Sequence, residues 1–323
     1  MYKLFFILCL NSALFATYTN CEFKNKNYKE ICESLVKRGV SYDYINKFLL
    51  SNKAKKYDEL SWKYLHPDKI LTHRKNEKKA NNTLLAHIPT IVKHLKKYNY
   101  VYDYTEKEFG VNREIVAAIL MKETALGKIK LNHDAFEVCN TMVVKNRLKT
   151  SRDKWLLKMG KSSMVSIIEH CYKKGLNVEM CNLPSSYAGA VGIPQFMPNS
   201  FIYAQGYKTK IADLNKMEDA IVSASKFLNK KASFNKLIDW NKLSNIEQIE
   251  SQWYDYELKY KNSSLVYERN KRNNTANKCF LCEKKEYAYL KKYAKKIMRY
   301  NNSSNYAIGV IRLAYESHVL LVQ

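Results

Sequence analysis

The stretch Ser186–Ser200, SYAGAVGIPQFMPNS, holds two of the chain's nine glycines and two of its five prolines. Glycine and proline restrict the backbone in opposite ways, so their clustering marks a tightly specified loop or helix start. About sixty residues upstream, Val111–Gly127 (VNREIVAAILMKETALG) has helical periodicity. Val116, Ile119, Leu120 and Glu123 recur at i, i+3, i+4 and i+7, so one glutamate sits in an otherwise apolar stripe. Asn112 is placed to cap the start of this helix, and Gly127 to cap its end. Glu123 then lies in the last turn, where desolvation and the negative end of the helix dipole both disfavour its charge. A carboxyl with a raised pKa suits a general acid at neutral pH. An ordinary ion pair with a lysine at the edge of a cleft fits the same pattern.

Outward from these two pieces the pattern stays helical. Glycine and proline are scarce, and with 46% hydrophobic and 13% aromatic residues the 323-residue chain can bury a large core. Helices are expected over 28–50 as a pair, over 69–109 with Pro89 splitting the run, and over 134–146, 153–174, 217–230, 287–300 and 306–321. Residues 236–285, rich in Lys, Asn and Tyr, give no clear period, although Trp240 and Trp253 favour packing over disorder. The resulting division is a signal peptide over 1–16, an N-terminal helical region over 17–100 and a core over 101–235 that carries both quoted stretches. An insertion over 236–285 and C-terminal helices over 286–323 complete it.

The N-terminus pairs Lys3 with an apolar run from Leu4 to Ala16. It is too short to span a bilayer and has the form of an export signal. The bulky polar Tyr18-Thr19-Asn20 argues against a lipid anchor on Cys21, so the expected location is periplasmic. Of the cysteines, Cys171 and Cys181 flank a glycine-containing turn and are the best candidate disulfide. Cys279 and Cys282 have the spacing of a local disulfide or half a metal site. The net charge of +25 suits nucleic acid, an anionic membrane surface or an acidic polysaccharide, or reflects lysines spread over solvated faces. No nucleic-acid module accompanies it. There is also no HExxH, dinucleotide or phosphate-binding glycine loop, and no GxSxG elbow. Ser186 has no evident histidine partner.

With these residues in view, VNREIVAAILMKETALG resembles the catalytic-helix motif of the lytic murein transglycosylase B family (glycoside hydrolase family 103), which carries a single catalytic glutamate. SYAGAVGIPQFMPNS resembles that family's second signature, and Tyr300-Asn301-Asn302-Ser303 with Tyr306-Ala307 is similar to its C-terminal element. All three occur in the family's order. The resemblance implies a mainly α fold with a lysozyme-like catalytic core, additional N-terminal helices and a helical C-terminal closing segment. It also implies cleavage of peptidoglycan glycan strands to 1,6-anhydromuramyl ends, with Glu123 as acid and then base. Ser186 and Gln195 would hydrogen-bond the sugars, Tyr187 and Phe227 would form aromatic walls, and Tyr300 and Asn301 would close the other side. A hydrolytic muramidase and an inactive wall-binding scaffold are the alternatives. An ordinary glycosidase needs two carboxylates; the signatures supply one, although Asp134, Glu137, Asp213 and Asp219 occur elsewhere. Two departures from the family stand out. Pro194 replaces a common glycine, and 205–216 (QGYKTKIADLNK) lacks the acidic residues of the calcium loop many members carry, so no metal or other cofactor is expected. No nucleic acid is expected as partner either, whereas peripheral attraction to an anionic wall or membrane is.

Overall fold

The computed structural model describes residues 21–65, 67–254, 256–261, 264–269 and 285–323. The export signal and the Cys279/Cys282 pair lie outside the described residues. In chain order the helices are α1 (Lys26–Val36), α2 (Tyr42–Leu49), α3 (Glu59–Tyr64), α4 (Pro67–Leu85), α5 (Ile88–Lys97), α6 (Asn99–Phe109) and α7 (Arg113–Thr124). They continue as α8 (Ala135–Val144), α9 (Ser151–Lys173), α10 (Met217–Ala232), α11 (Ile246–Trp253), α12 (Lys285–Ile297) and α13 (Ser304–Val322). Strands are few: β1 (His133–Asp134) pairs antiparallel with β2 (Pro184–Ser185), and β3 (Tyr256–Lys261) with β4 (Ser264–Arg269). The fold is mainly α with a lysozyme-like core, as expected.

Two apolar cores organise these elements. The first joins α5, α6, α7, α10, α12 and α13 through residues such as Ile91, Tyr102, Ile119, Leu228, Tyr293 and Ile311. The second joins α1, α2, α8 and α9 through Ile31, Phe48, Phe136 and Ile168. Val191 packs in the second core and Ile193 against the first, so Ser186–Ser200 runs where the two meet. Two disulfides close short loops beside the second core, Cys171–Cys181 as expected and Cys21–Cys32 in addition. Cys21, weighed above as a lipid acceptor, has its sulfur in that second bond. Cys139 is a buried free thiol whose pKa burial pushes up to about 12, which leaves it protonated and unreactive.

Helix α7 differs from its amphipathic reading. Every residue from Glu114 to Met121 is buried, because α5, α10 and α13 cover it on several sides. Each of its large aliphatic side chains then contributes roughly 1.5–3 kcal/mol. Its ends also differ from expectation. Asn112 does not cap with its side chain; its amide instead donates to Ile238 O at 3.3 Å and accepts from Ile238 N at 2.7 Å, tying the helix start to the segment after α10. At the other end the helix stops at Thr124, with Ala125, Leu126 and Gly127 all at positive φ, so Ala125 and not Gly127 is the capping residue. The chain turns away one residue after Glu123.

Candidate active site

Glu123 is partly buried, and its Oε1 accepts a 2.7 Å hydrogen bond from the Tyr306 hydroxyl. Tyr306 stands in the first turn of α13, where Ser303 caps the helix by accepting from Tyr306 N at 3.2 Å. Ser303 Oγ in turn donates to Glu77 Oε2 at 2.6 Å, which anchors the cap to α4. Burial raises the Glu123 pKa to about 7, against the opposing effects of the Tyr306 hydrogen bond and the Lys122 charge; Glu77 adds to the rise. The same carboxyl is one reason the Tyr306 and Tyr300 hydroxyls are held far above their ordinary pKa, burial being the larger.

Below the carboxyl lies a polar floor that the sequence did not advertise. Lys122 Nζ sits 4.9 Å from the centre of the Tyr306 ring and donates to Asn81 Oδ1. Asn81 Nδ2 donates to Tyr254 at 2.7 Å and to Asn305 O at 2.9 Å. A Cβ at Gly309 would come within 2.3 Å of that amide, so the Asn81 side chain can lie against α13 here only because residue 309 is glycine.

The Ser186–Ser200 loop is stitched to the same place. Thr124, beside Glu123, donates from Oγ1 to Ile193 O at 2.9 Å and accepts from Gly127 N at 3.1 Å. Ile193 N donates to Leu214 O at 2.9 Å. Tyr300 donates to Pro194 O at 2.5 Å and packs its ring 4.9 Å from that of Phe227. Pro194 thus presents its carbonyl to the turn between α12 and α13, about a hundred residues later in sequence. Gln195 follows with φ 49°, a left-handed backbone that costs a non-glycine residue on the order of 1–3 kcal/mol and that its type does not announce.

The expected site residues divide into two groups. Gln195, Phe227 and Tyr300 line one cleft of about 320 Å³, with Phe196 buried beside them. Glu123 is not in that lining but adjoins it at Tyr300 and through Thr124. Gln195 folds back, its Nε2 donating to Gly192 O at 2.9 Å, which leaves the amide oxygen and the second N–H for a ligand. Ser186 stands on the far limb of the loop, and its Oγ accepts from Ala190 N at 3.3 Å, closing its own turn. Tyr187 packs its ring 5.3 Å from that of Tyr64 on α3, and Asn301 is exposed beyond the cleft lining. Tyr306 went unassigned in the sequence, although the Y-A pair of the third motif marked it.

Other carboxylates are engaged elsewhere. Asp134 caps α8 and pairs with Lys53 at 3.0 Å, and Glu137 lies 3.9 Å from Lys56. Asp219 accepts from Tyr207 N at 2.9 Å and Asp213 N at 2.8 Å, while Asp213 accepts from Asn215 N at 3.0 Å. These last two hold the 205–216 loop with backbone donors. With their oxygens so used and so few acids in the loop, its residues do not fit the six to eight oxygen ligands of a calcium ion. Ser61, His133 and Asp58 have the composition of a catalytic triad. Both oxygens converge on the same ring nitrogen, Nδ1, at 3.1 and 2.6 Å, so no relay can pass through the ring.

Among curated proteins none is similar enough in sequence to count as a relative. Several solved structures share the fold. The Escherichia coli lytic transglycosylase Slt35 in complex with calcium superposes with a TM-score of 0.60 at 16% identity, over 93% of this chain and 95% of that one. Soluble lytic transglycosylase SltB1 from Pseudomonas aeruginosa gives 0.60 at 17%, over 91% and 100%. SltB3 from Pseudomonas aeruginosa in complex with NAG-anhNAM-pentapeptide gives 0.54 at 15%, over 89% and 77%. At these identities the likeness is one of fold. Residues 24–315 match the family model of the transglycosylase SLT domain, a span that includes Glu123, the Ser186–Ser200 loop and Tyr306, and the chain belongs to that family.

Proposed function

We propose that Glu123 is the single proton-transferring group of this lytic transglycosylase. Its substrate is peptidoglycan, and the bond cleaved joins N-acetylmuramic acid to N-acetylglucosamine. Protonated Glu123 gives its proton to the leaving glycosidic oxygen as the bond from C1 breaks. The resulting carboxylate takes the proton of the muramyl C6 hydroxyl, whose oxygen bonds to C1 and closes a 1,6-anhydro ring. Glu123 is thereby returned to its acid form, and no water enters.

The observation that carries this reading is the Glu123 carboxyl itself, with a pKa near 7 and one oxygen held by Tyr306. A group poised between acid and base at neutral pH can do both steps. The engagement of Asp134, Glu137, Asp213 and Asp219 in caps, ion pairs and loop closure supports a route with no second carboxylate. In this reading Gln195, Phe227 and Tyr300 contact the glycan beside Glu123, with Ser186, Tyr187 and Asn301 around the rim. The two disulfides support export to an oxidising compartment such as the periplasm. Among the described residues no helix is long and apolar enough to cross a membrane.

Digestion of purified sacculi followed by mass spectrometry of the released muropeptides tests the proposal. Anhydro ends support it, reducing ends assign a muramidase instead, and no release assigns a wall-binding protein. A pH series adds a second test: kcat/KM is expected to fall above about pH 7, as Glu123 loses the proton the first step needs. Tyr306→Phe removes a hydrogen bond that favours the charged carboxylate, so the Glu123 pKa is expected to rise further. The alkaline limb should then move to higher pH, with a roughly tenfold or larger loss of rate from the freed carboxyl. An unmoved limb would separate Tyr306 from the function of Glu123.

A further inference from the structure

The cleft that Gln195, Phe227 and Tyr300 line has a second wall that the mechanism above does not use. Helix α9 contributes Trp155 and Lys158 to it, and α10 contributes Lys231. Trp155 is a large aromatic left 49% exposed, with the Arg152 guanidinium stacked 4.3 Å from its ring centre. Neither Lys158 nor Lys231 has a carboxylate within ion-pair distance among the described residues. Only a minority of the lysines find such partners among the described residues, as Lys145, Lys161 and Lys173 do, so it is the convergence of two on one cleft that sets this pair apart. Lys231 lies instead 4.7 Å from the Phe227 ring centre. Burial and the nearby Arg299 charge both hold its pKa below the ordinary lysine value. Like charges facing one cleft repel one another, and an anion entering between them removes that cost.

The anion's source follows from the substrate. The alternating amino-sugar backbone is neutral; its negative charge resides on the peptide branching from the lactyl group of muramic acid, through side-chain and terminal carboxylates. At 320 Å³ the cleft sits near the lower end of ligand-pocket volumes, about 300–1,000 Å³. That size does not admit a run of sugars. We propose that the Trp155, Lys158 and Lys231 side of this cleft is a subsite for the acidic peptide stem, in which Lys158 and Lys231 pair with its carboxylates and Trp155 supports its apolar portion, while Gln195, Phe227 and Tyr300 keep the sugar from which the stem branches. The inference rests on the peptidoglycan reading above and specifies which part of that substrate the α9 wall recognises.

Two measurements separate this subsite from the catalytic assignment. In the first, kcat/KM is compared on glycan strands bearing stems and on strands stripped of stems by an amidase, with the lactyl carboxylates that this exposes capped as methyl amides. The wild type is expected to favour stem-bearing strands by about tenfold, the scale of one or two partly exposed charge pairs. K158M/K231M is expected to bring the ratio of the two substrates close to one, as is chemical amidation of the stem carboxylates. A wild-type ratio near one overturns the proposal, as does a preference that survives in the double variant or an equal loss on both substrates. In the second, E123Q and E123Q/K158M/K231M are titrated calorimetrically with a disaccharide-tripeptide, so that binding is read without turnover. About tenfold weaker binding by the triple variant is expected, and equal binding overturns the subsite. Displacement of this ligand by a phosphate-bearing wall polymer, with no effect of stem amidation, would assign the cleft to that polymer and overturn the proposal as well. Absence of turnover on either strand counts against the catalytic reading alone, since the titration still decides the subsite.

Discussion

Replacing Glu123 with Gln is expected to lower glycan cleavage by at least about 10³-fold while the protein still binds sacculi and folds. General acid–base catalysis commonly supplies 10²–10⁴-fold for one transfer, and here one carboxyl serves two. Glutamine keeps the shape and can still accept from Tyr306, but it cannot donate and recover a proton. The same substitution is expected to make the protein more stable. In the unfolded chain Glu123 ionises near its ordinary value of 4.5, whereas in the folded protein it does so at about 7. The folded form therefore holds the proton longer, and stability falls as pH rises from about 4.5 to 7, with the full penalty present above 7. The shift corresponds to roughly 3 kcal/mol, which reduces to about 2 kcal/mol because solvent still reaches the side chain. E123Q escapes this penalty, so its advantage in denaturant titrations should be near zero at pH 4, grow to pH 7 and then level. Turnover within tenfold of the wild type would remove Glu123 from its assigned role. A flat stability difference across that range would show that its carboxyl is not desolvated.

The second large effect is expected at Gly192. Its φ is 71°, and a Cβ there would lie 2.5 Å from Leu214 Cβ and 2.7 Å from Leu214 O. Backbone cannot yield as a flexible side chain does, and the adjacent Ile193 N–H is bonded to the same Leu214 carbonyl. Left-handed strain of about 1–2 kcal/mol and overpacking of about 1–3 kcal/mol together give about 3 kcal/mol for Gly192→Ala. Because Gln195 Nε2 bonds to Gly192 O, the displaced loop should also lose glycan affinity, seen as a raised KM. Gly39→Ala is the matched control: its φ is 79°, but nothing lies within 4 Å of the added carbon. It should cost only the strain, about 1 kcal/mol, and leave KM unchanged. Equal thermal destabilisation in the two variants would mean that the approach of Leu214 is unimportant.

Much of this site was legible before any coordinates. The helical periods located most helices to within a few residues, because apolar spacing is written locally, but they missed α3, α11 and the break between α5 and α6. Pro89 stands in the first turn of α5, where its ring is tolerated, and so marks the break after α4. Glu123 was conspicuous because it is an acid where the stripe called for an aliphatic residue. What failed were end effects and partners. Asn112 has the composition of a cap but spends its amide on Ile238, 126 residues away. Ala125 takes the left-handed turn that glycine was expected to take, held there by Thr124 and Ile193.

By itself, then, the sequence determined that the chain is mainly helical and that one acid stands in an apolar stripe, which are properties of residue type and spacing along the chain. That three segments form one site was what the family resemblance implied. Only the tertiary structure decided that Tyr306 holds the acid, that Pro194 offers its carbonyl to Tyr300, and that Lys158 and Lys231 face one cleft with no acidic partner among the described residues. Each of these joins elements dozens to nearly two hundred residues apart, and no local periodicity encodes a partner at that distance. The pKa of Glu123 belongs to the second group as well, since it is set by how much protein surrounds the carboxyl.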